Sequence, residues 1–403
     1  MRTVILRDAY DALLKRIKEI DKEIKLNSKE IGRAAELGDL SENAEFDAAK
    51  EKQTELFNTL NNLETYVNAR IIEPEEINTK VVSFGTTVKF FDYTENKVDT
   101  YTIVGPAEFE LDIYPNIMTF NSPLGQALNG KKSGTAIDID LPRGLSKFLI
   151  LDIKAVSVAP EPVPEIVIFG EVGKNKDGQP GGAGYYAAAG ACLFTKQIAV
   201  VTAVDGQDKD LTAALNKIAR FDGAVQTDPQ AEISFANLPA EYYGAKYFHL
   251  VPMEPAKQME IMSAIRANGD IEGKLSVEID EQYLKKDKDT IVKVMELADL
   301  LFVTEPVFKL LADIEHDEKS VIVRKGRESA EFWYDDDMEQ EAQALEVEVA
   351  DSSGFEGVMA GAFVGVMALG HLEEIAIDLS MRLASKSQED HGLDHLIHPK
   401  HDD

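Results

Sequence analysis

Cysteine is all but missing from this chain: Cys192 is the only one. No intrachain disulfide can form, and a buried thiol in a reducing compartment is the expectation. Long apolar runs are missing too. The longest, Met359 to Leu369, is far short of the roughly 20 residues that span a bilayer. No basic stretch followed by an apolar one opens the chain, so a signal peptide is not expected and the reading is cytoplasmic, with no membrane association. Positive charge is scarce: 42 Lys and Arg face 72 Asp and Glu, a net of −30. That field repels nucleic-acid phosphates and argues against direct, sequence-specific DNA binding. Action on DNA or RNA would run through another protein or a bound metal.

What is present is enough for several domains. The chain has 403 residues, 44% of them hydrophobic and 28% charged, and a single core rarely grows beyond about 250 to 300 residues. Apolar positions recur at Tyr10, Leu13, Ile17, Ile20, Ile24, Ile31 and Ala34, with Asn27 as the one polar member. They recur again at Phe46, Ala49, Gln53, Leu56, Leu60, Leu63 and Val67. Alternating spacings of three and four predict a coiled-coil seam. The short polar stretch Glu36 to Asn43 between them predicts an antiparallel helical hairpin over residues 1–76, closed by Pro74.

The period then changes. Val81 to Phe91, Thr100 to Val104, Ile117 to Phe120, Thr135 to Ile139 and Phe148 to Val156 read as strands, with one helix starting at Ser122-Pro123. They predict a small α+β domain over 80–157. Residues 158–165, with Pro160, Pro162 and Pro164, read as a stiff linker. From 166 to 388 strands and helices alternate, which predicts an α/β domain with helices on both faces of its sheet. The expected strands are Ile166 to Phe169, Ile198 to Val204, Tyr247 to Val251, Leu275 to Ile279, Leu300 to Val303 and Ser320 to Lys325. The expected helices are Pro255 to Ala267, Asp289 to Ala298 and Phe355 to Leu369. Residues 389–403 read as a polar, frayed tail. Its His391, His395, His398 and His401 offer metal-binding imidazoles, but a solvated terminus is the plainer account.

Asp39 and Glu42 sit at the hairpin turn, flanked by Glu36 and Glu45. Two readings stand side by side. Asp39 can cap the second helix with Glu42 at its third position, a capping-box relation that the helix dipole favours. Alternatively the pair can ligate Mg²⁺, which takes oxygen donors and often only one or two protein carboxylates. A lone tip has too few ligands, so a partner would supply the rest.

The stretch Gly38-Asp39-Leu40-Ser41-Glu42-Asn43-Ala44-Glu45-Phe46 resembles the tip signature of the bacterial Gre transcript-cleavage factors. Phe84-Gly85-Thr86-Thr87-Val88, Tyr101 to Gly105 and Asn121-Ser122-Pro123-Leu124-Gly125 continue the resemblance into that family's C-terminal domain, which is FKBP-like. The resemblance implies binding to bacterial RNA polymerase through the second domain, with Asn121, Ser122 and Pro123 at the contact. It implies a hairpin inserted into the secondary channel. Asp39 and Glu42 fall on the family's two key acidic positions. They would help hold a Mg²⁺ of the polymerase active site while the polymerase cuts backtracked RNA near its 3′ end. No tightly bound cofactor is expected, and the RNA is met only indirectly. Some members of the family inhibit instead.

Residues 166–385 resemble the ribokinase, or PfkB, sugar kinases. The carriers are Pro180-Gly181-Gly182-Ala183-Gly184, Ala199 to Gly206, Val323-Arg324-Lys325-Gly326 and Asp351-Ser352-Ser353-Gly354. Active members end that last motif in an anion hole and a general-base Asp. Here Glu356 stands at the second glycine of the hole and Gly357 at the base. Tyr186 replaces the Asn that contacts sugar, Asn175 stands where an Asp grips a hydroxyl, and Thr304-Glu305-Pro306-Val307 departs from Asn-x-x-Glu. A lost general base typically costs about 10² to 10⁴ in rate. Gly181, Gly182, Asp351 and Gly354 still mark the site, but the departures at Asn175, Tyr186, Thr304 to Val307, Glu356 and Gly357 imply a degenerate one, a pseudokinase, with a homodimer through this domain among the expectations. The leading reading is therefore an elongation factor and not an enzyme. The alternatives are a sugar or nucleoside kinase with an appended polymerase-binding arm, and an inhibitor that plugs the channel.

Overall fold

A computed structural model describes residues 3–36, 44–114, 116–142, 144–156, 163–205, 207–219, 225–226, 228, 231–310, 319–335 and 337–397. The chain forms two compact units, Met1–Thr94 with Asp99–Ala159 and Glu95–Val98 with Pro160–Asp403. Among the described residues no helix is long and apolar enough to cross a membrane.

In the first unit β1 (Val4–Leu6) leads into α1 (Arg7–Ala35). Next α2 (Ala44–Glu64) returns to β2 (Arg70–Ile72), which pairs with β1 in parallel. α1 has 29 residues, about 43 Å at 1.5 Å per residue. The helices run antiparallel. The Tyr10 hydroxyl donates to the Val67 carbonyl near the base, and the Asn27 amide donates to the Ala49 carbonyl further out. Leu13, Ile20, Asn27 and Ala34 are buried at heptad spacing on α1. Asn27 Nδ2 also donates to Gln53 Oε1 at 2.7 Å, and Gln53 Nε2 to Ser28 Oγ at 3.2 Å, so one polar layer interrupts an apolar seam.

The rest of this unit holds β3 (Thr86–Asp92), β4 (Lys97–Val104), α3 (Pro106–Leu111), β5 (Ile117–Thr119), α4 (Pro123–Leu128), β6 (Ala136–Leu141) and β7 (Gly144–Ala155). The strands form one sheet in the order β5-β4-β3-β7-β6. Phe90, Ile103, Phe148 and Ile150 fill its core. β3 starts later than the alternation predicts. Val82 instead exchanges backbone hydrogen bonds with Gly130 and Lys131, and Gly85, at φ +79, breaks the run. α3 was not foreseen. It starts at Pro106 after Gly105, whose N–H is taken by the Glu108 carboxylate.

A second core joins the foot of the hairpin to this sheet. Ile5, Leu6, Ala9 and Leu13 pack with Val104, Ala107 and Tyr114. Glu108, fully buried, accepts from Leu6 N at 2.8 Å and from Gly105 N at 3.1 Å. The Tyr114 hydroxyl donates to Asp8. The hairpin is thus mounted on the small domain by shared packing and by buried polar ties.

The second unit begins with β8 (Ile166–Phe169), β9 (Gly173–Lys174), β10 (Pro180–Gly181), α5 (Ala183–Cys192), β11 (Ile198–Ala203), α6 (Lys209–Ile218), β12 (Val225–Gln226) and β13 (Tyr247–Leu250). It continues with α7 (Pro255–Ala267), β14 (Lys274–Glu278), α8 (Lys288–Leu297), β15 (Leu300–Thr304), α9 (Glu305–Phe308), β16 (Ser320–Lys325), β17 (Ser329–Tyr334) and β18 (Asp337–Gln343). α10 (Phe355–Ala368), α11 (Glu373–Lys386) and α12 (Asp394–Ile397) close it.

Nine strands form one sheet in the order β12-β11-β8-β13-β14-β15-β16-β17-β18. The strands from β12 to β16 are parallel, and β17 and β18 add an antiparallel edge. α7 and α8 cover one face, where Ile261, Met262, Ile291 and Val294 meet Phe169, Phe248 and Val277. On the other face Phe302 of β15 meets Phe363 of α10 edge to face, centroids 5.4 Å apart. α10 and α5 touch backbone to backbone: a Cβ on Gly361 would stand 1.8 Å from the Ala187 carbonyl oxygen.

Residues 389–397 are not a frayed tail. Leu393 and Leu396 are buried, and His395 Nε2 donates to the Lys386 carbonyl at 2.9 Å. Apolar anchors within the polar stretch hold it down. His398 and His401 lie outside the described residues.

Candidate functional site

Asp39 and Glu42, with the whole turn 37–43, lie outside the described residues. What is described is their mounting. Arg33 ends α1 and Glu45 and Asp47 open α2, each with the sign that its helix dipole favours. Lys52 reaches Glu30 across the two helices at 3.9 Å, and Lys50 stands over the Phe46 ring at 5.2 Å. The last described turns therefore hold charges of both signs close together. With the shared core at the foot, α1 and α2 form an arm fixed to the small domain at one end.

The turn before α4 carries Asn121, Ser122 and Pro123. Ser122 Oγ accepts from Gly125 N at 3.1 Å and donates to the Thr119 carbonyl at 2.8 Å, which caps the helix. Asn121 and Pro123 are exposed, next to an exposed Phe120. Capping fixes the turn, and the flanking side chains stay available to a partner.

In the second unit the structure gathers most of the residues singled out from the kinase-like motifs around one side chain, Tyr186. Gly354 ends the turn before α10 with φ +82, and a Cβ there would lie 2.2 Å from the Tyr186 ring. A Cβ on Gly357 would lie 2.9 Å from Tyr186 Cβ, and one on Gly181 would lie 3.0 Å from its hydroxyl. The ring thus stands on the first turn of α10. Burial pushes the Tyr186 hydroxyl up, against hydrogen bonds to Asn175 and Ser353 that lower it. Gly182, at φ +95, precedes α5 and would press a Cβ to 2.6 Å from the Glu171 carbonyl. Glu356 is half-buried in the first turn of α10.

Asp351 accepts from Ser353 N at 2.8 Å, and this bond, more than the nearby His391 and Lys176, holds its carboxyl below the ordinary range. Asp177 and His391 come to it so that one donor atom from each lies within 4.8 Å of the others. Spacing gave no sign of this meeting. Asp177 follows the Asn175 turn, and His391 arrives only because Leu393 and Leu396 pin the tail. Of the other motif residues, Arg324 is buried with Nη1 3.9 Å from Glu278, and Thr304 Oγ1 donates to Glu281 at 2.9 Å.

Beside these turns a cleft of 1210 Å³ opens at the C-terminal ends of β8, β11 and β13. Lys174 pairs with Asp208 at 2.6 Å across it, and Lys257 pairs with Glu232 at 2.6 Å and Glu260 at 3.0 Å. None of these residues was picked out from the sequence, because they belong to no motif and meet only through the sheet.

Comparison with known proteins bears mainly on the first unit. The family model for the transcription elongation factor N-terminal region matches residues 3–71, and that for the GreA/GreB C-terminal region matches residues 77–155. Transcription elongation factor GreA of Caldanaerobacter subterraneus is 43% identical over 128 residues, 32% of this chain and 80% of that one. Its counterpart from Helicobacter pylori is 42% identical over 143 residues, 35% of this chain and 85% of that one. Over the second unit, solved structures of ribokinase-family kinases are similar. One is the Methanocaldococcus jannaschii nucleoside kinase, 14% identical with a TM-score of 0.46, covering 58% of this chain and 94% of that one. By its first 155 residues, the chain belongs to the GreA/GreB family of transcription elongation factors.

Proposed function

We propose that this protein is an elongation factor of bacterial RNA polymerase, and that its part is to carry carboxylates to the polymerase rather than to cut RNA itself. The observation that carries this reading is the arm. A helix of 29 residues is fixed at its foot to a small sheet domain, and the acidic stretch with Asp39 and Glu42 follows that helix in the sequence. In this reading Asn121, Ser122 and Pro123 help seat the small domain on the rim of the secondary channel, and Asp39 and Glu42 reach the active site. The donor set suits Mg²⁺, a hard cation satisfied by one or two protein carboxylates and completed by other oxygens. The metal supplies charge stabilisation and an activated water to the polymerase's hydrolysis. The chain's own share is to place two carboxylates and hold them there.

The second unit does not transfer phosphate in this reading. Tyr186 covers the turn where a phosphate would be cradled, Glu356 brings a like charge to it, and Gly357 leaves the base position without a side chain. The unit is a binding or assembly module.

The test is transcript cleavage by stalled polymerase with the full chain and with its Asp39→Ala, Glu42→Ala double variant. The parent is expected to stimulate cleavage and the variant to lose about 10²-fold or more, the scale of removing a positioned catalytic group. Equal stimulation by both would defeat the mechanism. Polymerase binding with slowed nucleotide addition and no cleavage would make the protein an inhibitor.

A further inference from the structure

The cleft of the second unit has a chemistry that its neighbours in the motifs do not explain. Its place in the sheet marks it as a ligand site. Strand order reverses at β8, with β11 on one side and β13 on the other, and the cleft lies over the C-terminal ends of all three. Open α/β sheets take their ligands at such a switch point. The charges around it are lopsided. Lys174 and Lys257, the only cationic side chains among its described lining residues, are both already engaged by carboxylates. Glu171, Asp205 and Glu254 also line it, with no ion pair among the described residues. Asp205 uses one oxygen to accept from Gln207 N at 2.9 Å.

This pattern selects by charge. A phosphate or nucleotide entering the cleft would meet three unpaired carboxylates and, among the described lining residues, no free cation. A polyol can donate hydroxyls to these carboxylates but brings no positive charge to offset theirs. Between the acids the lining is apolar, with Val172, Val204, Leu211 and Met253, and at the wall stands the Tyr283 ring, which already has Lys286 Nζ over it, 5.7 Å from the centroid. Acids spaced along an apolar floor fit ammonium groups joined by methylenes. Each ammonium can meet a carboxylate, and the methylenes can lie on the floor. The cleft walls concentrate the field of the acids, which raises the local concentration of such a ligand.

We propose that this cleft binds a short aliphatic polyamine. The proposal rests on the reading of the second unit as a binding module without phosphoryl transfer. The test is calorimetry of the full chain with spermidine, ribose and inosine in turn, at about 0.1 M salt, where exposed charges are screened beyond about 10 Å. Spermidine is expected to bind saturably at one site. In the Glu171→Gln, Glu254→Gln variant its affinity is expected to fall about tenfold or more. Both side chains are exposed, so the exchange leaves the fold in place. A control pair on the hairpin, Glu19→Gln with Glu23→Gln, is expected to change nothing. The proposal is overturned if spermidine gives no saturable heat, if the cleft variant binds it as well as the parent does, or if ribose or inosine binds more tightly. ATP turnover dependent on ribose or inosine would overturn the non-kinase reading and this proposal with it. Silence towards spermidine without turnover would overturn this proposal alone.

Discussion

Replacing Glu108 by Ala tests whether the hairpin is held by its foot. The Glu108 carboxylate is fully buried and accepts two backbone N–H groups, from Leu6 and Gly105. Its removal orphans both donors. At about 1 to 3 kcal/mol for each buried unsatisfied group, with partial rescue by entering water, the loss is about 2 to 5 kcal/mol. It falls on the joint, because Leu6 ends β1 at the start of α1 and Gly105 caps α3. Glu108→Gln keeps one acceptor oxygen and turns an NH₂ toward the other donor, so about half that loss is expected. The pH dependence has a definite sign. Burial, the largest cause, raises the Glu108 carboxyl above its ordinary range, against the backbone hydrogen bonds that lower it. The folded state therefore holds this proton more tightly than the unfolded one. The stability so gained is fully present below the unfolded value of about 4.3 and is lost as pH rises through the higher folded value. The Gln variant lacks this decline. Urea unfolding followed by far-UV circular dichroism reads both units, and a shift there that tryptophan fluorescence does not share belongs to the first. Trp333, the only tryptophan, lies in the second unit, and its fluorescence transition should not move. A Glu108→Ala protein within about 0.5 kcal/mol of the parent, or parent and Gln variant with the same pH profile, would refute the reasoning.

Three other perturbations have equally definite outcomes. Gly361→Ala sets a Cβ 1.8 Å from a backbone oxygen of α5 and should cost about 3 kcal/mol or more in the second unit's unfolding. Gly269→Ala, with nothing within 4 Å, should be near neutral. Gly354→Ala sets a Cβ 2.2 Å from the Tyr186 ring and should destabilise the protein, and Tyr186→Ala, which removes the ring, should recover part of that loss. A cycle with no coupling between the two sites would show that the ring does not fill that space. Tyr114→Phe strips Asp8 of its hydroxyl donor and should lower the first unit's stability by about 1 to 2 kcal/mol in urea.

How much of this was legible in the sequence depended on whether one face of an element meets water. α1 announces itself by heptads because its other side is solvated. The ends of α7 and α8 fell close to expectation for the same reason. α5 went unread because it is Ala- and Gly-rich and buried on nearly every side, which leaves no period. β18 hid because an edge strand of Asp, Glu and Gln carries no apolar alternation. The candidate site shows the same limit more sharply. The letters at Tyr186 and Gly357 marked a changed motif, but only the close packing of α5 on α10 shows the tyrosine ring against Gly354 and its Cβ against Gly357. Asp177 and His391 could not be paired with Asp351 by spacing, since three separate loops bring them together. The cleft lysines and acids come from β9, α7 and the loops around them, and the sheet order brings them together.

The polar layer at Asn27 makes the arm a gauge. Its amide is matched to Ala49 and Gln53 and to no other pair, so sliding one helix along the other would leave it facing apolar side chains. The reach of the hairpin is therefore set in discrete steps. A longer arm needs seven residues added to each helix on the outer side of Asn27, which moves the turn outward by about 10 Å with the same face forward. Any insertion in one helix alone would rotate the turn or break the layer. The register of the two helices is thus fixed by a single asparagine in the outer half of α1.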